Sequence, residues 1–526
     1  MTPPPGTGPL PATTPRVSTG ISGLDAVLGG GLPADRMHLI DGEPGSGKTT
    51  LALQFLLSGR AAGERCLYVT LSETEAELRA TADSHGWTLD GIEIFELSAA
   101  AGEGPEDTYT LFHPAEVELQ QTVSAVLEVV ERHSPSRVVF DSLSEMRMLA
   151  RDPLRFRRQI LWLKQFFAGR ACTLLVLDDR TGPEGDLQLQ SLAHGVVALE
   201  RVPMEYGAER RRIQIKKLRG ARYAGGFHDF RITTGGLQVY PRLQYVAGEV
   251  APPKQQISTG SGELDALLGG GLVRGTSVLV TGAAGTGKSV LSIQIALTAV
   301  ARGERAEVFM FDERIATANI RAEGLGLDMA SARAGGGLTL HQIEPTEMSP
   351  GEFATGVVRA VEENGATVLV LDSLNGYLQA MPNEHLMGVH VHELLSYLAT
   401  RGVTIIMTLV QHGVFGAPVD EAAEVSYLAD TVILLRYFEH AGAVRQSISV
   451  VKKRTGPHER TIRECRVEHG GLRVGEPLAS FRGVLTGVPM YEGEGSPLMN
   501  SRTRSTRKPT PPKPSSATLD DSQGGR

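Results

Sequence analysis

Two short glycine-rich segments of the chain have the residue types and the spacing that bind a nucleoside triphosphate. The first reads GEPGSGKT, from Gly42 to Thr49, and the second reads GAAGTGKS, from Gly282 to Ser289. Glycines let the backbone turn with positive φ, so that successive N–H groups point at one phosphate, and the following helix adds the positive end of its dipole. The lysine then reaches the β- and γ-phosphates, and the next hydroxyl holds Mg²⁺. Both segments therefore predict a site for ATP and Mg²⁺.

The residues around each segment have the strand-then-helix order that a phosphate-binding loop requires. MHLID precedes the first loop and TTLALQFLLSG follows it, while SVLVT precedes the second and SVLSIQIALTAV follows it. Two full matches in the same context are far more specific than one glycine-rich run. The predicted nucleotide-binding residues are Gly42, Gly45, Ser46, Gly47, Lys48, Thr49, Thr50, Gly282, Gly285, Thr286, Gly287, Lys288, Ser289 and Val290.

The two loops belong to a long internal repeat. VSTGISGLDAVLGGGL, from Val17, recurs as ISTGSGELDALLGGGL, from Ile257, 240 positions later and without a gap. A period of this length is too long for a solenoid, so it indicates a duplicated domain. The predicted organisation is a disordered tail at 1–16, a first ATPase domain at 17–248, a second at 249–490, and a disordered basic tail at 491–526.

Each half alternates short apolar runs with amphipathic segments. The runs are MHLID, RCLYVTL, RVVFDS, TLLVLDD and VVALE in the first half, and SVLVTG, AEVFMFD, TVLVLDS, VTIIMTLV and TVILLR in the second. Runs rich in Val, Ile and Leu are typical of buried strands in a parallel sheet. The predicted fold class is α/β, with two tandem doubly wound P-loop domains around parallel central sheets.

The composition indicates a globular cytosolic protein. Of the 526 residues, 41% are hydrophobic and 21% are charged, and the net charge of −8 does not favour nucleic acid or an anionic membrane as a partner. Three scattered cysteines predict a reducing compartment, and no run approaches the roughly 18 apolar residues of a membrane span. From Asn500 onward the tail holds six Lys/Arg and two Asp, a local charge of +4, which suits either a solvated tail or a partner-docking one.

Carboxylates at strand ends supply the remaining chemistry. Asp141 in VVFDS and Asp372 in VLVLDS follow apolar runs, which places them at the edge where the nucleotide lies and predicts that they orient Mg²⁺. Glu73 and Glu313 follow the strand after each loop helix, and Asp312 adds a second carboxylate in the second half, so we expect these groups to activate water. The alternatives are a strand-ending Asp without a metal role and a helix start capped by residue 72.

A basic cluster lies late in each half, RRRIQIKKLRG in the first and VVKKRTGPHER in the second, where Lys217 and Arg219 match Lys452 and Arg454. One cluster per ATPase half favours a clamp that reaches a neighbouring subunit's γ-phosphate in trans. A nucleic-acid patch and a solvated basic strand are the two alternatives.

Taken together, these motifs resemble the KaiC family of double RecA-like ATPases, over roughly Val17 to Pro489. The similar features are STGxxxLDxxLGGGL before each phosphate loop, a carboxylate after the next strand, and the late KLRG. The resemblance implies a two-tier homohexamer that binds ATP and Mg²⁺ between subunits, and a serine/threonine autokinase activity in some members. It places the family's trans contact on Lys217, Leu218, Arg219, Lys452 and Arg454, with His458 nearby.

The chain departs from the family's clock members at three places. The first half has Ser72 before Glu73 where those members have paired Glu residues, which questions how fast this half hydrolyses ATP. At the family's Ser–Thr phosphoacceptor pair the chain has Ser426 followed by Tyr427, so an ordered two-site phosphorylation cycle is not expected, and a single-site autokinase on Ser426 stays open. The tail lacks the family's recognisable partner-binding features.

The expected function is a KaiC-like hexameric ATPase that acts as a signalling or timing module, with protein partners at the tail or the ring faces. The alternative from another class is a RecA/RadA-type DNA-dependent ATPase or recombinase. DNA-binding loops need basic residues, but DDRTGPEGDLQLQ has one Arg against four acidic residues and VQHGVFGAPVDEA has no Lys or Arg. A third reading, a scaffold with a structural nucleotide, fits poorly with the retained Glu73 and Glu313.

Overall fold

The computed structural model describes residues 15–97, 114–150, 152–180, 187–204, 207–243, 255–379, 384–411, 426–484 and 490–491. Nearly all of both predicted tails and most of the predicted linker at 248–256 lie outside these residues. The same holds for 181–186 of DDRTGPEGDLQLQ and for 412–422 of VQHGVFGAPVDEA, the two segments weighed as DNA-binding loops.

The first half is built around one nine-stranded sheet. Its elements in chain order are β1 (Arg16–Val17), α1 (Ser22–Val27), β2 (Leu32–Pro33), β3 (Met37–Gly42), α2 (Lys48–Ala61), β4 (Cys66–Thr70), α3 (Glu75–Ser84), β5 (Ile92–Glu96), α4 (Pro114–His133), β6 (Arg137–Asp141), α5 (Leu143–Ala150), α6 (Pro153–Phe167), β7 (Thr173–Asp179), α7 (Leu187–Leu192), β8 (Gly195–Val202), β9 (Arg210–Leu218), β10 (Phe227–Thr233) and β11 (Gly236–Tyr240). The strand order is β11-β10-β9-β8-β3-β7-β6-β4-β5, with β1 and β2 pairing separately.

The second half repeats this architecture. Its elements are β12 (Gln256–Ile257), α8 (Gly262–Leu267), β13 (Leu272–Val273), β14 (Ser277–Gly282), α9 (Lys288–Ala301), β15 (Ala306–Met310), α10 (Ile315–Gly324), α11 (Met329–Ala334), β16 (Leu338–Gln342), α12 (Pro350–Glu362), β17 (Val368–Asp372), α13 (Leu374–Gln379), α14 (Glu384–Thr400), β18 (Thr404–Val410), β19 (Thr431–His440), β20 (Ala443–Lys453), β21 (Arg463–Glu468), β22 (Gly471–Pro477), β23 (Phe481–Arg482) and β24 (Met490–Tyr491). The nine-stranded order is β16-β15-β17-β18-β14-β19-β20-β21-β22.

The central strands of both sheets are parallel, as the sequence predicted, and all ten apolar runs form strands. The far edge of each sheet is antiparallel, and the sequence analysis did not anticipate it: β9, β10 and β11 in the first half, and β20, β21 and β22 in the second. These edge strands alternate polar and apolar residues because only one of their faces is covered, so they lack the continuous apolar signal of the central strands.

Helices cover both faces of each sheet. In the first half, α2 contributes Leu51, Leu53 and Phe55 to the core on one face, while α6 contributes Phe156 and Ile160 to the core on the other. The strands between these layers are buried on both sides, which is why their sequences are almost wholly apolar. Among the described residues, none of the helices is both long and apolar enough to cross a bilayer.

The two halves contact each other through β10 of the first and the start of α12 in the second. The Asp229 carboxylate accepts a hydrogen bond of 2.8 Å from the Gly351 backbone N–H, and Arg231 pairs with Glu352 at 2.9 Å. Arg210 of β9 donates to the backbone carbonyl of Met348 at 2.6 Å. Charged groups of the first half thus satisfy the first turn of a helix in the second half.

Candidate nucleotide-binding sites

Both phosphate loops connect the end of a central strand to the start of a long buried helix. In the first loop Gly45 and Gly47 have φ of +74° and +102°, and in the second Gly285 and Gly287 have φ of +79° and +98°. These left-handed conformations favour glycine. A Cβ on Gly47 would also lie 2.7 Å from Ile232 of β10, so the loop is held closely against the antiparallel edge of the sheet. The backbone is therefore shaped to turn its N–H groups toward a phosphate at the helix start.

The two loop lysines have different partners. The Lys48 ammonium donates to the carbonyl of Gly42 at 3.0 Å and forms an ion pair of 2.6 Å with Asp179 at the end of β7. The Lys288 ammonium donates to the carbonyls of Gly282 and Ala283, at 2.9 and 2.7 Å, and makes no ion pair among the described residues. Burial lowers the pKa of Lys288 to about 8, against a smaller opposing effect of Asp372.

The absence of an ion pair at Lys288 follows from the sequence of β18. Asp179 pairs with Gly42 across the first sheet, and the residue that pairs with Gly282 in the same way is Val410. The carboxylate next to the loop lysine is therefore a property of the first half.

The predicted metal-directed carboxylates lie at the ends of β6 and β17. Asp141 accepts a hydrogen bond of 2.6 Å from the Tyr68 hydroxyl, and the nearby Thr49 hydroxyl opposes the rise of its pKa. Burial is the main reason that the pKa of Asp141 is raised. Asp372 accepts a bond of 2.6 Å from the Thr408 hydroxyl. Each Asp is thus fixed by a hydroxyl from a neighbouring strand, next to the loop hydroxyl in the first half.

Glu73 lies in the turn after β4, and its carboxylate has no counter-ion among the described residues. Its Oε2 atom is buried without a hydrogen-bond partner. Burial raises the pKa of Glu73, with further contributions from Asp141, Glu77 and Asp179. The Thr70 hydroxyl holds the backbone of this turn. It accepts a hydrogen bond of 3.0 Å from the Glu73 N–H and donates one of 2.7 Å to the Glu73 carbonyl. A half-buried carboxylate with a raised pKa suits a group that takes a proton from water.

The alternative for this turn, a helix cap at Ser72, is wrong. Helix α3 is capped by Thr74, whose hydroxyl accepts from the Glu77 N–H while the Glu77 carboxylate accepts from the Thr74 N–H. Because this capping box satisfies the helix start, Glu73 is not needed for it.

The two carboxylates of the second half both have partners. Glu313 forms an ion pair with Arg321, which lies in the last turn of α10. Asp312 accepts a hydrogen bond from the Ser373 hydroxyl, directly after the predicted metal-directed Asp372.

The basic residues of the predicted trans clamp lie at the opposite end of the strands from their own phosphate loop. Lys217 pairs with Val196 near the start of β8, whereas Gly42 pairs with Leu199 farther along. In the first half the Arg219 guanidinium donates to the carbonyl of Ser191 at 2.9 Å. Neither cation of the first half forms an ion pair among the described residues, and neither is placed to reach its own loop.

The second half has the equivalent contacts. Lys452 donates to the carbonyl of Ser426 at 2.8 Å, and Arg454 donates to that of Tyr427 at 2.6 Å. Arg454 also lies 3.9 Å from Asp430. Ser426 is half-buried, and Tyr427 is exposed.

Three of the predicted site residues have a packing role. Leu218 belongs to the hydrophobic core of the first half, and Val290 is buried in the first turn of α9. His458 lies in the loop after β20, against the turn between α8 and β13. The predicted contacts of these residues with a nucleotide, in their own subunit for Val290 and across a subunit boundary for Leu218, stay predictions.

Sequence reasoning missed the side chains that hold the outer edge of each loop. Arg201 and Arg211 donate to the carbonyls of Pro44 and Gly45, at 3.3 and 2.8 Å. At the second loop, Gln446 donates to the carbonyl of Gly285 at 3.3 Å in place of Arg211. The register of β9 against β8 would have revealed these contacts, but that register depends on an antiparallel edge absent from the apolar pattern.

The residues at the first loop fit ATP and Mg²⁺. Buried hydroxyls of Ser46 and Ser142 have no hydrogen-bond partner among the described residues, and both lie at the loop or at the end of β6. Thr49 and Asp141 offer only oxygen ligands, which Mg²⁺ prefers. The described residues hold no group of three or more His, Cys, Asp or Glu side chains suited to a metal. Mg²⁺ bound here would also be held by the phosphates of ATP, whose charge it would neutralise.

Two glycine-rich loops at the ends of central strands, each with an Asp on a nearby strand end, define a protein of the double RecA-like P-loop class. The family described as "ATPase: KaiC" matches residues 17–244 and 257–479, and the chain belongs to this family. It is accordingly a KaiC-family ATPase that binds ATP.

Curated relatives match along nearly the whole chain. The chain is 28% identical to "Circadian clock protein KaiC3" of Synechocystis sp. over 483 residues, which cover 91% of this chain and 95% of the relative. It is 27% identical to "Circadian clock oscillator protein KaiC" of Picosynechococcus sp., covering 90% of this chain and 92% of that relative. It is 26% identical to "Circadian clock oscillator protein KaiC 1" of Synechocystis sp., with the same two shares.

Proposed function

We propose that each subunit hydrolyses ATP at two sites, one per half, within a homohexameric ring that acts as a cytoplasmic signalling or timing module. The observation that carries this proposal is the half-buried carboxylate of Glu73, which has one buried oxygen without a hydrogen-bond partner and no counter-ion among the residues that the structure describes. A scaffold that only stores a nucleotide has no use for a half-buried carboxylate without a counter-ion at this place, because partial burial of an unpaired charge costs stability.

The reaction follows from the placed groups. A water oxygen bonds to the γ-phosphorus while the bond from that phosphorus to the bridging oxygen breaks, and ADP leaves. The water proton passes to the carboxylate of Glu73 in the first half, or of Glu313 in the second. Lys48 and Lys288 hold the β- and γ-phosphates, and Mg²⁺ held by Thr49 and Asp141, or by Ser289 and Asp372, would neutralise their charge.

The ring is part of the proposal because of the position of the basic cluster late in each half. Lys217 and Arg219 lie at the opposite end of the strands from their own phosphate loop and form no ion pair among the described residues. In a ring these cations reach the ATP of the adjacent subunit. ATP then contributes binding energy only to the assembled state, so assembly depends on nucleotide.

The test measures how many ATP molecules each subunit binds and the mass of the assembly. Calorimetry should show two ATP per wild-type subunit and one in each of Lys48→Ala and Lys288→Ala, while Lys48→Arg, which keeps the charge, should retain weak binding. Light scattering with saturating ATP should give a hexamer. A single ATP per wild-type subunit, or a monomer with saturating ATP, would contradict the proposal.

A second candidate activity is autophosphorylation of Ser426. The segment that holds Ser426 contacts Lys452 and Arg454, the cations expected to reach a neighbour's second-half ATP. The Ser426 oxygen would bond to the γ-phosphorus, ADP would leave, and the hydroxyl proton would pass to Asp312 or Glu313 of the neighbour. Phosphopeptide mapping after incubation with Mg²⁺ and ATP tests this: label in the wild type that persists in Ser426→Ala rejects the assignment.

The DNA-dependent alternative has less support. The chain has a net charge of −8, and the segments that would serve as DNA loops contain a single Arg between them. We therefore propose proteins, through the C-terminal tail or the ring faces, as partners in place of DNA or a membrane.

A further inference from the structure

The carboxylates proposed to activate water, Glu73 and Glu313, differ between the two halves in their ion-pair partners. In the first half, Glu73 forms no ion pair among the described residues, and one of its oxygens is buried without a hydrogen-bond partner. In the second half, the Arg321 guanidinium contacts the Glu313 carboxylate, and the two side chains are 30% and 23% exposed. The equivalent carboxylate therefore has no counter-ion in one site and a counter-ion in the other.

The difference comes from a single position on matching helices. Helix α3 (Glu75–Ser84) and helix α10 (Ile315–Gly324) have ten residues each and begin 240 positions apart. Arg321 lies in the last turn of α10, and the residue 240 positions earlier is Thr81, in the same turn of α3. A threonine side chain is short and uncharged, so it cannot form the ion pair there.

An arginine on this carboxylate opposes its use as a base. The planar guanidinium presents several N–H donors in a fixed fork that matches a carboxylate. The carboxylate that accepts this hydrogen bond is turned toward the arginine, and it must leave the arginine before it can align a water. Exchange is nevertheless feasible, because ion pairs with partly exposed partners contribute little free energy.

We propose that Arg321 is a positioning residue that restrains Glu313 in the second half and so makes that half hydrolyse ATP more slowly than it would with a free carboxylate. This inference rests on the proposed function, in which Glu73 and Glu313 are the water-activating groups. It assigns the faster turnover to the first half, whose carboxylate has no such restraint.

The sequence comparison of the two turns pointed the other way. Ser72 before Glu73 left the first half with one carboxylate, while Asp312 and Glu313 gave the second half two. The structure shows that both carboxylates of the second half are engaged, Asp312 by Ser373 and Glu313 by Arg321. The number of carboxylates is therefore a poorer guide to turnover than their partners.

The experiment measures one ATP site at a time in the full chain, and it removes the arginine from the second half or introduces one in the first. In the Lys48→Ala background only the second site binds ATP, and there Arg321→Ala should raise kcat about two- to fivefold, the range that a partly exposed ion pair allows. Arg321→Lys, which keeps a charge but loses the planar guanidinium, should fall between the two. In the Lys288→Ala background, Thr81→Arg should lower the kcat of the first site by a similar factor. KM for ATP should change little in all three variants.

The unfolding temperature of each variant shows whether Arg321 restrains Glu313 or only stabilises the fold. If Arg321 only stabilises α10, Arg321→Ala lowers the unfolding temperature and kcat stays the same or falls, which overturns the inference. The inference is also overturned if the second half shows no turnover with or without Arg321 while the first half is active. In that case the proposed ATPase activity of the first half is unaffected. Loss of turnover in the Lys288→Ala parent, with ATP still bound, contradicts the proposed function itself.

Discussion

Lys48 and Asp179 form an ion pair of 2.6 Å that places a carboxylate beside the first phosphate loop. ATP has to replace this carboxylate as the partner of the lysine, and the nearby negative charge also repels the phosphates. The second loop has Val410 at the equivalent position and no such competitor.

Replacing Asp179 should therefore strengthen ATP binding at the first site. In the Lys288→Ala background, Asp179→Asn should lower the ATP Kd about three- to tenfold, equivalent to ~0.7–1.4 kcal/mol, because the lysine is released without a change in side-chain volume. The matched control is Val410→Asp in the Lys48→Ala background, which should weaken binding at the second site. Calorimetry measures both, and an unchanged Kd in Asp179→Asn would show that the ion pair does not compete with ATP.

Glu73 should set the acid limb of the first site's pH profile. Its pKa is raised above the ordinary value by burial, Asp141, Glu77 and Asp179. The carboxylate takes the proton only when ionised, so kcat should fall as pH decreases through this raised pKa, at a higher pH than an ordinary glutamate would give. Turnover of the Lys288→Ala variant against pH measures this limb.

The ionised form of Glu73 that supports turnover lowers the stability of the folded protein. A carboxyl whose pKa is higher in the folded state than in the unfolded state binds its proton more tightly when folded, so the ionised form costs stability at neutral pH. Glu73→Gln should thus lower first-site turnover by about 10²-fold or more and raise the unfolding temperature at neutral pH. A lower unfolding temperature with retained turnover would show that Glu73 has a structural role instead.

Arg219 should act on the site of a neighbouring subunit. Arg219→Ala should lower first-site turnover by several orders of magnitude, as trans arginines do in other NTPases at about 10³–10⁵, with a smaller effect on ATP affinity. The decisive measurement mixes two inactive proteins, Arg219→Ala and Lys48→Ala, each in the Lys288→Ala background. Mixed rings contain interfaces with an intact loop facing an intact arginine, so activity should return. No recovery, in rings shown by affinity capture through a tag on one variant to contain both variants, would place the action of Arg219 within its own subunit.

Arg210 should contribute strongly to the contact between the halves. Its side chain is buried and donates to the carbonyls of Met348 and Pro345, at 2.6 and 3.2 Å, across the domain boundary. Arg210→Ala leaves those carbonyls without their donor and should destabilise the protein by about 2–3 kcal/mol. Arg212→Ala on the same strand, which loses a partly exposed pair with Glu200, should cost no more than about 1 kcal/mol. Chemical unfolding compares the two variants.

The sequence by itself determined the duplicated domain, the parallel centre of each sheet and the position of both phosphate loops. These features depend on local chemistry: glycines at positive φ, continuous apolar strands, and a Lys–Thr or Lys–Ser pair at a helix start. Asp141 and Asp372 were predictable for the same reason, because the last residue of a central parallel strand must lie at the edge where the loop also lies.

Only the tertiary structure decided how the two sites differ. The pairs Lys48–Asp179 and Glu313–Arg321 join residues from separate elements, and their formation depends on strand register and on the helix turn that faces the site. The contact of Arg211 with Gly45 required the antiparallel edge, which its half-buried polar strands concealed. A repeat in the sequence made the halves look equivalent, but the partners of each charged group are set by packing across the fold, and these partners distinguish one half from the other.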